Sequence, residues 1–159
     1  MTFYNLVPSC PTCNKLKLTS KIGINPYFDG FTSKFRVRRE GSELPILAEQ
    51  LNENDHLVIE FNNPTEEESL NIKHLALIEL YQMHEDEARE IIEKAHAYNS
   101  HAREALVNSF QGAGQSPIDV FEFVWGKNIE TARQINRPLS KFTRDILEQV
   151  EVINEQELE

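Results

Sequence analysis

The chain holds only two cysteines, and they stand three apart in Pro8-Ser9-Cys10-Pro11-Thr12-Cys13. A turn of this kind presents two thiolates on one side with backbone N–H groups behind them. That is half of a tetrahedral zinc site, with Zn–S distances of about 2.3 Å. The same spacing suits thiol–disulfide exchange, because the two sulfurs can reach one another. In a reducing compartment a two-residue gap between cysteines serves few other purposes. For zinc, Cys10 and Cys13 need partners from His56, His74, His84, His96 or His101, from carboxylates, or from the same turn of a second copy. The last choice makes the protein a dimer through shared zinc.

Cys10-Pro11-Thr12-Cys13 resembles the zinc hook of DNA-repair ATPases, in which two chains each contribute a Cys-Pro-x-Cys, although no heptad coiled coil flanks it here. The longer stretch Thr2-Phe-Tyr-Asn-Leu-Val-Pro-Ser-Cys10-Pro-Thr-Cys13-Asn-Lys-Leu-Lys resembles the opening of glutaredoxins and related thioredoxin-fold proteins: strand, cysteine turn, helix. That resemblance implies that Cys10 attacks from a helix N-terminus, which lowers its pKa, and that Cys13 resolves the mixed disulfide. It also implies that Leu44-Pro45-Ile46-Leu47 stands for the cis-proline strand of such a site.

Other groups of residues point to binding rather than catalysis. Glu85, Asp86, Glu90 and Glu93 recur at helical spacing and make an acidic face suited to a basic partner. Phe121 and Trp125 belong to the almost wholly apolar run Ile118 to Trp125, which is either core or a docking surface. Lys34, Arg36, Arg38 and Arg39 form a basic strand that can meet phosphate, with attraction to the acidic helices as the simpler reading. Glu93-Lys-Ala-His96 has one of the two Glu-x-x-His motifs of a di-iron bundle and lacks the other. No nucleophile elbow or paired catalytic carboxylate stands out.

The elements that must carry these residues divide in two. Residues 1–61 hold seven basic and seven acidic side chains, so the formal charge of −10 lies wholly in residues 62–159. Pro and Gly punctuate the first part, and neither occurs from Thr65 through Gln111. In the first part, Thr2–Val7, Ser33–Arg39 and His56–Phe61 read as strands, with Phe35 and Val37 on one face and Lys34, Arg36 and Arg38 on the other. Leu16–Ile24 is ambiguous. In the second, Thr65 and Glu68 form a capping box that opens a central helix over Leu70–Met83. A further helical pattern runs from Ala88 to Phe110, with a close-approach row Ala88, Ala95, Ala102. A last helix runs from Pro138 through Ile153 and turns Leu139, Phe142, Ile146, Val150 and Ile153 inward.

The expected fold is α+β: a small antiparallel β-rich part, 1–61, carrying the cysteine turn and packed on an acidic helical bundle, 62–159. The expected function is a non-enzymatic protein-binding adaptor or inhibitor of the immunity or antitoxin kind, with Cys10/Cys13 as a structural zinc half-site. The alternatives are a thiol–disulfide oxidoreductase using Cys10 and Cys13, and a zinc-containing nucleic-acid-binding module using the basic strand. Met1–Pro8 has no signal-peptide character and no apolar run is long enough for a membrane span, so a cytoplasmic protein is expected.

Overall fold

The computed structural model describes residues 11–24, 29–47, 50–112, 124–125 and 139–152. These hold helix α1 (Pro11–Lys17), strands β1 (Lys34–Arg39) and β2 (Leu57–Asn62), and helices α2 (Glu66–His74), α3 (Leu77–Gln82), α4 (Glu85–Ala97), α5 (Ser100–Gly112) and α6 (Ser140–Gln149). The architecture is α+β. Leu16 belongs to α1 and the residues after it are irregular, so the alternation over Leu16–Ile24 does not produce a strand. The expected strand Thr2–Val7 lies outside the described residues.

β1 and β2 pair antiparallel, Phe35 opposite Phe61 and Val37 opposite Ile59. Phe35, Val37, Leu57 and Ile59 turn into the core, where they meet Ile91 and Ile92 of α4 and Phe142, Ile146 and Leu147 of α6. The predicted two faces of β1 are therefore the observed ones. Aromatic rings fill the centre: Phe35 lies 4.3 Å from Tyr81 and 5.1 Å from Phe142 between ring centroids.

A two-stranded hairpin has two open edges and little stability of its own. In an antiparallel ladder the backbone groups of alternate residues point outward, and here helix side chains meet them. On the β1 edge, Phe35 N donates to Asp145 Oδ2 (2.9 Å) and Val37 N to Gln149 Oε1 (2.8 Å). Gln149 Nε2 returns bonds to Val37 O (2.8 Å) and Ile46 O (2.7 Å). On the β2 edge, Leu57 N donates to Glu85 Oε1 (2.8 Å) and Ile59 N to Gln82 Oε1 (3.1 Å), while Gln82 Nε2 donates to Leu57 O (2.6 Å). Each edge is thus met by one glutamine and one carboxylate, and the β1 edge also by the Pro45–Ile46 backbone, where Ile46 N donates to Val37 O (3.0 Å).

α2 performs the same task for the loops. The Thr65/Glu68 capping box forms as expected. Glu68 is only 2% exposed. Its Oε1 accepts from Thr32 N (2.5 Å), Ser33 N (2.9 Å) and Thr32 Oγ1 (3.1 Å), and its Oε2 from Thr65 N (2.8 Å). Asn71 Oδ1 accepts from Gly23 N (2.7 Å) and Ile24 N (3.1 Å). That approach needs glycine, since a Cβ at Gly23 would lie 2.4 Å from the Glu67 carbonyl oxygen.

Two expected helices are each broken into two. Leu70–Met83 is not one central helix packed on two sides: α2 ends at Leu75, and Ala76 adopts a left-handed conformation (φ 49°) before α3. That conformation costs about 1–2 kcal/mol in a non-glycine residue. The bend aims Tyr81 into the aromatic cluster and Gln82 at β2, and it leaves Leu70, Ile78, Leu80 and Met83 exposed. The Ala88–Phe110 pattern breaks at Tyr98–Asn99, where Asn99 Oδ1 accepts from Ala102 N (3.0 Å) and starts α5. Ala88 and Ala95 are buried and Ala102 is exposed, so the alanine row ends at the break. α6 begins at Ser140 after a left-handed Leu139 (φ 59°) and ends at Gln149; Phe142, Ile146 and Val150 are buried as expected and Leu139 half-buried, while Pro138 and Ile153 lie outside the described residues.

Candidate protein-binding groove

The turn before β2 and the first half of α4 enclose an open groove of about 570 Å³. Arg89 builds its wall: Nη1 donates to Asn52 O (3.0 Å) and Nη2 to Asp55 O, fixing the turn against the helix. Asp55 Oδ2 accepts from Asn52 N (2.9 Å) and Arg39 Nε (3.2 Å). The Asn52 N–H, outweighing the effect of burial with help from Arg39 and Arg89, holds the Asp55 carboxyl below its ordinary range.

The four acids expected to bind a partner separate into two kinds. Glu85 is committed to the Leu57 amide and also lies 3.8 Å from His56 Nδ1, so it acts as part of the sheet edge rather than as a free surface charge. Asp86 is exposed, its Oδ1 accepting from Glu87 N. Glu90 pairs with Lys94 (2.5 Å) and Glu93 with Arg89 (3.9 Å), both one helical turn apart. Such exposed pairs contribute only about 0.3–0.5 kcal/mol each and exchange readily for another cation. Glu53 joins this rim. Met83, 77% exposed, lines the same groove.

The remaining site residues lie elsewhere. Trp125 is 6% exposed and sits edge-on to Tyr98 at 6.0 Å, so the one described aromatic of its apolar run belongs to the core. Phe121 lies outside the described residues. The basic strand is paired internally: Lys34 with Glu148 (2.8 Å), Arg36 with Glu60 (3.6 Å), Arg38 with Glu60 (3.2 Å) and Arg39 with Asp55 (3.2 Å). Attraction within the molecule therefore occurs, drawing mostly on β2 and the turn before it. Arg36 and Arg38 further donate to the carbonyls of Glu43 and Ser42.

Cys10 lies outside the described residues, and Cys13 occupies α1 with its side chain undescribed. Among the described residues no three His, Cys, Asp or Glu side chains gather as a metal site would require. Every peptide bond among them is trans, so Leu44-Pro45 does not supply the cis-proline of a thioredoxin-like site. Pro45 instead bridges Arg38 alongside β1. No described helix is long and apolar enough to cross a membrane.

Asn71, Gln82, Asp145 and Gln149 belong to no recognisable motif, yet together with Glu68 and Glu85 they bond the loop and strand-edge backbone at Gly23, Ile24, Ser33, Phe35, Val37, Leu57 and Ile59. A signal existed for two of them: Asp145 and Gln149 interrupt the stripe Phe142, Ile146, Val150 where an apolar residue is expected. Comparison with family models, with curated proteins and with solved structures finds no match.

Proposed function

We propose that this chain is a non-enzymatic binding protein, an adaptor or inhibitor of the immunity or antitoxin kind, that engages a basic protein through the α4 groove. One observation carries the reading: an exposed apolar side chain, Met83, lines the same open groove as Glu53, Asp86, Glu90 and Glu93. An apolar centre with a charged rim is how protein interfaces divide affinity from orientation. The acidic rim steers a cationic partner and rejects acidic ones. Cys10 and Cys13 supply half of a structural zinc site, completed by a second copy of the chain.

The groove is tested with an arginine-rich peptide titrated into the full chain at about 0.05 M and about 0.5 M salt, which changes the screening length severalfold. The double variant Asp86→Asn, Glu90→Gln should weaken binding about tenfold at low salt, and Met83→Ala should weaken it at both. Unchanged affinity in both variants would remove the groove from the interface. Metal analysis of protein purified without chelator tests the cysteine turn: about one zinc per two chains, lost in Cys10→Ser, is expected. A metal-free chain whose Cys10 titrates well below about 8.5 would replace the zinc half-site with the oxidoreductase reading.

A further inference from the structure

The two edges of the hairpin are closed by the same side-chain chemistry, carried on helices that differ in burial. On the β1 side the closing residues belong to α6, which buries Ser140, Phe142, Thr143, Asp145, Ile146 and Leu147. On the β2 side Glu85 opens α4, which buries Ala88, Ile91, Ile92 and Ala95, whereas Gln82 ends α3, a six-residue helix that buries none of its residues and has no side-chain cap. α3 follows the left-handed Ala76, ends at the Met83–His84 turn, and leaves Ile78, Leu80 and Met83 exposed. Tyr81 against Phe35 and Phe61, with Gln82 against Leu57 and Ile59, ties it to the sheet. Few buried contacts and a strained entry are the marks of a segment that opens locally before the rest of the fold.

The groups that Gln82 and Glu85 cover are those a neighbouring strand would use. Leu57 N, Leu57 O and Ile59 N are spaced as a ladder, and the two side chains occupy it as an incoming backbone would. Gln82 and Glu85, the side chains that cover the ladder, line the acidic groove together with Met83. Deepening the binding reading above and resting on it, we propose that the outer edge of β2 is a gated docking edge. α3 lifts and takes Gln82 off Leu57 O and Ile59 N, the Glu85 side chain swings off Leu57 N while α4 stays in place, and an extended basic segment of the partner adds as a strand. Its backbone takes the three freed groups, its cations face Glu53, Asp86 and Glu90, and its apolar side chains meet Met83. In the free protein the glutamine and glutamate act as an intramolecular occupant that keeps the edge from unselective pairing.

The test is amide hydrogen exchange, followed residue by residue on the full chain, alone and with a short peptide of alternating Lys and Val. A backbone N-methylated version of that peptide keeps the charge and loses the strand donors. Alone, Leu57 and Ile59 should exchange at least about tenfold faster than Phe35 and Val37. The unmodified peptide should protect Leu57 and Ile59, the N-methylated one should not, and Gln82→Ala should bind the unmodified peptide severalfold more tightly because the cap no longer competes. Equal exchange at all four amides overturns the gate. Equal binding of the two peptides also overturns strand docking while leaving the acidic groove in place as the binding surface. Binding of neither peptide at low salt sinks both readings.

Discussion

Replacing Glu68 by Gln removes one negative charge and turns one acceptor oxygen into a donor, at a side chain that accepts four hydrogen bonds. Whichever way the amide is turned, its NH2 faces N–H donors: Thr65 on one side, Thr32 and Ser33 on the other. Burial opposes the charge on Glu68, but the N–H groups of Ser33, Thr65 and Thr32 and the Thr32 hydroxyl outweigh it and lower the pKa from 4.5 to about 2. At 1.36 kcal/mol per pKa unit that corresponds to a ceiling of about 3 kcal/mol, reduced to about 2 kcal/mol when solvent screening beside the loop is allowed for. Because the folded pKa is depressed, the stabilisation is complete above the unfolded value and disappears as pH falls through the folded one. Urea unfolding followed by circular dichroism should show Glu68→Gln about 2 kcal/mol less stable at pH 7, with a Tm about 4–8 °C lower for a chain of this size. The difference from the natural chain should fall by more than half between about pH 5 and pH 3. A loss under about 0.5 kcal/mol at pH 7, or a difference that does not change with pH, would refute the role given to this carboxylate.

Gly23→Ala drives a Cβ into the Glu67 backbone, which cannot swing aside; thermal melting should report a loss of about 1–3 kcal/mol. Gln149→Leu leaves the Val37 N–H and the Ile46 carbonyl without this side-chain partner at the β1 edge; denaturant titration should show about 2–4 kcal/mol lost, and light scattering should show association through the opened edge. Asp145 behaves oppositely to Glu68, because its burial, only partly offset by Lys141 and the Phe35 N–H, raises its pKa. A raised acid stabilises most below its unfolded pKa and loses that contribution as pH rises through the folded value. Asp145→Asn should therefore compare better with the natural chain at pH 7 than at pH 3 in the same urea assay.

Local rules made the hairpin and its faces readable. The alternation of Phe35 and Val37 with Lys34, Arg36 and Arg38 reports burial on a pleated surface directly, and Thr65 with Glu68 is a cap whose two partners lie three residues apart. The inward stripe of α6 follows from the same periodicity. What stayed hidden depends on distance along the chain. The break at Ala76 carries no glycine or proline, and it serves Gln82, whose partner lies on β2. Glu85 reads as one of four equivalent surface acids until the Leu57 amide is found beside it. Met83 reads as an inward helix position, and only the bend makes it an exposed anchor. The candidate groove was half legible for that reason: most of its acids recur at helical spacing along α4, and its shape lies in a turn held by Arg89.

Gln149 also sets a timetable. The Val37 amide waits for a partner 112 residues further along the chain, which at ordinary synthesis speeds of about 5–20 residues per second is an interval of about 6–22 s. For that time β1 and β2 can pair with each other, but the outer edge of β1 has no glutamine to meet it. The two edges therefore mature in order: the β2 edge gains its cover from Gln82 and Glu85 soon after it is made, and the β1 edge is the last piece of the hairpin to be finished. A nascent chain of this protein is most exposed to wrong pairing through β1, and a ribosome stalled between residues 62 and 149 would hold it in that state.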